Sequence, residues 1–292
     1  MAATRNLPIS RHQGEGAIPV LNRSKQASVA GIAAFAALVI PSLACAQQAS
    51  LKTQPGIEVG LSGSYYHYKE PSIAVTEEGY KGGIDLVLTA PPRNDWFMQV
   101  DGRFAYGRND YTGAGNKGGN PDWYTEFRGT LGKDFERDGY SFSPYSGIGF
   151  RYLFNDLRGQ TSTGALGYRR ESRYVYIPIG VTHRLRLESS AKLSTTLEFD
   201  YLVKGWQKSN LTDASTFLPD QTNKQHSGFG VRASMYYEKA NWLFGPWFHY
   251  WRIDQSETTS TTVTVSGSTF RALIFEPKNR TVEIGVRLGY RF

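Results

Sequence analysis

The sequence has one cysteine, three methionines, five histidines and no long uninterrupted apolar run among its 292 residues, and each shortage excludes a class of protein. A single cysteine, Cys45, cannot build a disulfide framework. The mean hydropathy is negative. The only stretch resembling a hydrophobic helix, near residues 28–43, is short for a span and is interrupted by Pro41. A helical membrane protein is therefore excluded. Four histidines follow residue 46, namely His67, His183, His226 and His249. No two have the spacing of metal ligands and no H-E-x-x-H occurs, so no metal and no cofactor is expected. Charge of one sign is also scarce. The first 46 residues hold four basic residues and one acidic residue, so the rest of the chain carries +4 of the formal +7. That mild excess gives no reason to expect nucleic acid as a partner.

What is present begins with a leader. Arg5, Arg11, Arg23 and Lys25 precede the apolar stretch, and "ACAQQ" follows it. Basic region, apolar region and an A-x-A site at Ala44-Cys45-Ala46 are the order of a secretory signal, here residues 1–46. The basic region is long, which leaves open a start downstream of Met1. A lipoprotein would be cut before Cys45 and wants a large aliphatic residue three positions earlier, where Ser42 stands. Cleavage after Ala46 leaves a chain with no thiol at all.

From residue 56 one rhythm runs to the end. Ten segments of alternating apolar and polar-or-small residues lie near 56–69, 79–90, 96–111, 122–135, 140–154, 170–187, 191–207, 225–237, 242–254 and 279–292. Period-two alternation over such lengths predicts strands. The last, "TVEIGVRLGYRF", puts Val282, Ile284, Val286, Leu288, Tyr290 and Phe292 on one face, and Glu283 and Arg287 on the other. The breaks alternate in kind. "PPRND", "ERDG", "ESS" and "EKAN" are tight turns, while 70–78, 112–121, 155–169, 208–224 and 255–278 are long and polar. The aromatics fall at two levels. Trp96, Phe135, Tyr140, Trp242, Tyr290 and Phe292 lie near the tight turns. Tyr65, Tyr106, Trp123, Tyr152, Tyr201 and Tyr250 lie about 9–13 residues further along, the length of a tilted transmembrane strand. Two girdles imply a bilayer between them. Backbone groups in lipid must all be paired, so the sheet must close.

The predicted fold is all-β, a transmembrane antiparallel up-and-down barrel over residues 56–292. Ten strands are expected; twelve would result if 257–275 supplied two more membrane strands. That stretch is mostly Ser and Thr in its first half and reads better as an extracellular hairpin. Residues 47–55 read as a short periplasmic segment, too short for a plug. The inward positions predict a luminal polar network of Asp85, Asp101, Arg103, Glu126, Arg128, Arg151, Glu198, Asp200, Arg232, Glu283 and Arg287. Acids and bases nearly balance there, as expected of ion pairs filling a narrow lumen. His67 and His183 have outward parity, His249 lies inward between Trp247 and Trp251, and His226 reads as inward at the top of its strand.

The formal G-x-G-x-x-G at Gly113, Gly115 and Gly118 lies between antiparallel strands, whereas a dinucleotide site needs a strand, a glycine turn and a helix. The stretches "SYYHYKEP", "YGRNDY", "GIGFRYLFNDLRG", "TGALGYRRES" and "GPWFHYW", with the signal, the girdles and the terminal Phe292, resemble small outer-membrane β-barrel proteins of Gram-negative bacteria. The resemblance implies a cell outer-membrane location, contact with lipid and lipopolysaccharide, and assembly machinery that reads Phe292; it transfers no activity. In strand number and termination only, the chain also resembles the omptin proteases. Their paired-aspartate and aspartate–histidine motifs are absent, as is the His-x-Ser of outer-membrane lipases. No catalytic residue and no enzyme activity is expected. The expected role is structural or a narrow, gated passage for small solutes. The alternatives are an adhesin using loop cations such as Lys117, Arg158, Lys208, Lys224 and Arg271, and then a hydrolase.

Overall fold

The computed structural model describes residues 49–188, 190–265 and 268–292, so the predicted signal and Cys45 lie outside the described residues. Fourteen strands follow in order: β1 (Gly56–Glu70), β2 (Val75–Thr89), β3 (Trp96–Gly113), β4 (Gly115–Lys133), β5 (Phe135–Arg137), β6 (Tyr140–Gln160), β7 (Leu166–Glu188), β8 (Ala191–Asn210), β9 (Gln221–Gln225), β10 (Gly228–Lys239), β11 (Trp242–Ile253), β12 (Thr259–Val265), β13 (Ser268–Ile274) and β14 (Asn279–Arg291). Ten of them form a closed antiparallel ring in the order β1-β2-β3-β4-β6-β7-β8-β10-β11-β14. Pairing of β14 with β1 and of β10 with β8 leaves the ring no edge. The short β5 continues the line of β4 past Asp134, and β9 pairs the upper end of β8. The strands β12 and β13 pair only with each other. The barrel is therefore ten-stranded and 257–275 is a hairpin outside it.

The tight turns follow their chemistry. Arg93 and Trp96 bridge across Asn94 and Asp95, whose φ angles are 52° and 66°. Two successive positive φ angles make the twist of a hairpin turn, and Asn and Asp tolerate them better than most residues. At the other end the strands are longer than alternation suggests. Pairing runs to Glu70↔Val75 and to Gly113↔Gly115, so the expected loops 70–78 and 112–121 are mostly strand. Beyond the upper girdle the outer face leaves the lipid and turns polar while the inward Glu77, Asn109 and Asn120 stay buried, so the apolar alternation stops although the backbone ladder continues. The glycine motif is the tip of that second hairpin.

The outer face between the girdles is apolar, with Leu61, Ile84, Met98, Phe127, Ile148, Leu197 and Val286 all exposed. At the tight-turn end Trp242 and Phe292 flank Tyr290, with ring centroids 4.8 and 4.9 Å away. At the other end Trp123 touches Phe104 and Tyr152 at 6.0 and 5.3 Å. Such a surface suits lipid, and no described helix is long and apolar enough to cross a membrane.

The N-terminal segment departs from expectation. Residues 50–53 lie across the tight-turn mouth instead of hanging from it. Leu51 is completely buried. The Thr53 N–H and hydroxyl both donate to the Asp134 carboxylate at 2.9 Å. Ser141 donates to the Leu51 carbonyl at 2.6 Å and Lys192 to the Ser50 carbonyl at 2.9 Å. Lys52 pairs with Asp95 at 2.8 Å. These partners sit on β8, on β6, in the β4–β5 break and in the β2–β3 turn, so the segment straps one wall to the other. The expectation that it was too short to plug the barrel neglected the bore. Ten strands enclose so little space that a few residues at about 3.3 Å each reach across.

Candidate functional site: the barrel lumen and its closures

All eleven predicted luminal residues face inward, and the structure sorts them into groups. Arg287 pairs with Glu58 at 2.7 Å and with Asp85. Arg128 binds Asp101 at 2.8 Å on β3 and reaches Glu198 on β8 at 2.7 Å. Arg232 on β10 crosses to Glu126 on β4 at 2.6 Å while holding Asp200 at 2.6 Å and Glu198 at 3.1 Å. The Tyr176 hydroxyl donates to Glu126 at 2.7 Å. Burial of these charges is tolerable because each carboxylate meets a guanidinium. Arg103, Arg151 and Glu283 form no ion pair among the described residues.

Above this network the lumen is filled by side chains from opposite walls. Trp247 and Trp251 on β11 face Tyr124 on β4, five staves away around the ring. Arg103 stacks over Trp247 at 3.9 Å and Arg151 over Tyr124 at 4.4 Å. Tyr176 meets Trp251 edge-on at 5.2 Å. Two glycines make room for these rings. A Cβ on Gly285 would lie 2.7 Å from Trp247, and one on Gly149 would overlap the Tyr176 ring. Below this layer is a polar cavity of about 250 Å³ that Arg103, Trp247 and His249 help to line, with Arg184 and Glu238 nearer the tight-turn end. Above it is a smaller cavity of about 50 Å³ lined in part by Arg151, Trp251 and Arg170. Arg170 on β7 crosses to Glu70 on β1 at 2.7 Å and to Glu276 at 3.1 Å, clasping the upper mouth.

The strap adds electrostatics outside the membrane span. The Lys52 ammonium, hydrogen-bonded to Asp95, holds that carboxyl below its ordinary value, and Asp95 in turn raises Lys52. Asp134, buried in the break between β4 and β5, also lies 3.6 Å from Arg184. Sequence reasoning missed Asp134, Thr53, Arg184 and Lys192. The available signal was Asp134 continuing the inward parity of β4 next to a tight turn. It also passed over Tyr124, Tyr176 and Lys81, whose inward parity was readable. Lys81 lies 3.4 Å over the Tyr66 ring and pairs with Asp122.

The predicted girdle residues Trp96, Trp242, Tyr290, Phe292, Tyr65, Tyr106, Trp123, Tyr152 and Tyr250 all have outward parity, most of them half-buried or exposed. His67 and His183 face outward, His183 packing on Phe142 at 4.8 Å. His249 is buried inside, 4.6 Å from the Trp247 ring. His226 corrects the sequence reading. It lies in the break between β9 and β10, exposed and 2.6 Å from Glu257, because the break ends the alternation that pointed it inward. The rim acids are engaged: Asp122 with Lys81, Asp156 with Arg158, Asp213 with Arg169, Asp220 with Lys208 and Asp254 with Arg252. Asp110 accepts the Gly119 N–H.

A closed barrel with an apolar belt, two aromatic girdles and a charged interior defines an outer-membrane β-barrel. No family model and no curated protein matches the sequence. Among solved structures, the outer membrane protease OmpT from Escherichia coli aligns with 83% of this chain and 100% of its own, at 12% identity and a TM-score of 0.51. Neisserial surface protein A aligns with 81% of this chain and 97% of its own, at 11% identity and a TM-score of 0.36. An outer membrane channel from Pseudomonas putida F1 aligns with 83% of this chain and 98% of its own, at 10% identity and a TM-score of 0.39. The first likeness is one of fold alone, and the other two are too distant to carry an argument.

Proposed function

We propose that the protein is a narrow, gated passage for small polar solutes across the outer membrane, shut in the conformation described. The observation that carries this reading is the polar cavity of about 250 Å³ in the lower lumen, beneath the mid-lumen layer. A purely structural barrel has no use for such space, and small barrels fill their interiors with side chains. The barriers on either side of the cavity are side chains and a tethered segment, which can move without breaking the ring. Lipopolysaccharide surrounds the upper girdle in this reading, and the assembly machinery reads the strand that ends at Phe292. No catalytic step is part of this reading.

Proteoliposome swelling tests it. The full-length processed protein should admit solutes of a few heavy atoms slowly and exclude trisaccharides. Deletion of residues 47–53 should raise the small-solute rate several-fold. Equal rates with and without the strap, or free entry of trisaccharides, would contradict the reading.

A further inference from the structure

The mid-lumen layer has more hydrogen-bond donors than the protein supplies with acceptors. Arg151 is 1% exposed, yet its Nε and Nη1 have no partner. The Nε of Arg103 and the indole N–H groups of Trp247 and Trp251 are also unpartnered, and both indoles are more than nine-tenths buried. These groups converge on Tyr124, with Arg151 4.4 Å and Arg103 5.9 Å from its ring. The other luminal arginines are claimed by carboxylates, whereas these two lie over aromatic rings, which leave the guanidinium edges free to donate. Arg103 faces the lower cavity and Arg151 the upper one.

An unpaired acceptor is supplied by Glu283, in register with His249, whose Nδ1 also has no partner. Glu283 takes hydrogen bonds from Ser64 at 2.7 Å and Tyr124 at 3.3 Å on Oε1, while its Oε2 has none. Buried donors and acceptors without partners are costly, so such a cluster is complementary to a guest. Five unpartnered N–H-bearing nitrogens and one unpaired carboxylate oxygen around Tyr124 match an oxyanion that carries its own hydroxyl. Its bare oxygens accept from the arginines and indoles, and its O–H donates to Glu283. A halide has no proton to give.

We infer that the constriction around Tyr124 binds a small hydroxylated oxyanion of the hydrogen-phosphate type at two adjoining stations, Arg103 with Trp247 on the lower cavity and Arg151 with Trp251 on the upper one. This deepens the passage reading and rests on it only for how the ion arrives. The two arginines make a station on each side of the layer, so an ion released by one meets the other.

Binding is measured without transport by titrating the detergent-folded full-length protein with inorganic phosphate, using calorimetry or phosphorus NMR line broadening. Saturable binding is expected, with chloride competing poorly. Arg103→Gln and Arg151→Gln should each weaken phosphate roughly tenfold or more, as loss of charge-assisted hydrogen bonds does. Arg173→Gln, on the outer surface, should leave it unchanged. Heat-modifiable migration on a gel reports whether each variant is folded. If Arg151→Gln fails to fold, Arg151→Lys and the phosphate-over-chloride preference of the unaltered protein decide the matter. Absence of saturable binding, equal binding of chloride, or indifference to both arginines overturns the site. Phosphate binding without solute flux upholds the site and contradicts the passage; flux without phosphate binding does the reverse.

Discussion

Asp134 shows how much of this protein depends on single buried side chains. Its carboxylate takes both Thr53 donors and Ser143, and faces Arg184. Breaking a buried pair by removing one partner costs about 3–5 kcal/mol, because the other charge is left uncompensated. Asp134→Ala should therefore lower the heat-modification temperature and strip amide-exchange protection from Thr53. Asp95→Asn, at an exposed pair, should change either quantity little. The pH dependence of the Lys52–Asp95 pair follows from its shifts. The Asp95 carboxyl is depressed, so its contribution is complete above its unfolded pKa and lost as pH falls through the lower folded value. Lys52 is raised, so its contribution persists until pH passes its unfolded value. Exchange protection at Lys52 should stay flat between about pH 5 and pH 9. A transition near neutrality would contradict that assignment. At this scale the sequence was readable only in part. Parity pointed the eleven named charges inward, because a strand has only two faces, but it passed over Lys81, Arg184 and Lys192. It did not tell which charges pair, since partners such as Arg232 and Glu126 meet across the lumen from strands more than 100 residues apart.

Among the elements, the membrane strands were legible because lipid outside and charge inside enforce strict alternation. Where both faces are polar beyond the upper girdle the pattern lapsed, and β1 to β4 run further than it suggested. The strap was illegible for another reason: "ASLKT" has no periodicity, and its burial depends on the width of a barrel built after it. The hairpin β12–β13 is a separate element, with a sheet of its own. Replacing residues 258–274 by an Asn-Gly turn should leave the barrel folded, with unchanged heat-modifiable migration, because Ser256 and Glu276 already hydrogen-bond across its base. Loss of the folded band would show that the hairpin is part of the barrel's support.

For the whole molecule, the central claim is a closed ring whose bore is obstructed at three levels: the strap, the aromatic–arginine layer and the Arg170 clasp. Closure of the sheet is forced by the bilayer and was predictable from the two girdles. Obstruction depends on which rings meet across the bore, and Trp247, Trp251 and Tyr124 revealed that only once folded. Single-channel recording in planar bilayers tests the claim most directly. The unaltered protein should give small or intermittent conductance, with larger events once residues 47–53 are removed. Stable wide-pore currents from the unaltered protein would contradict it.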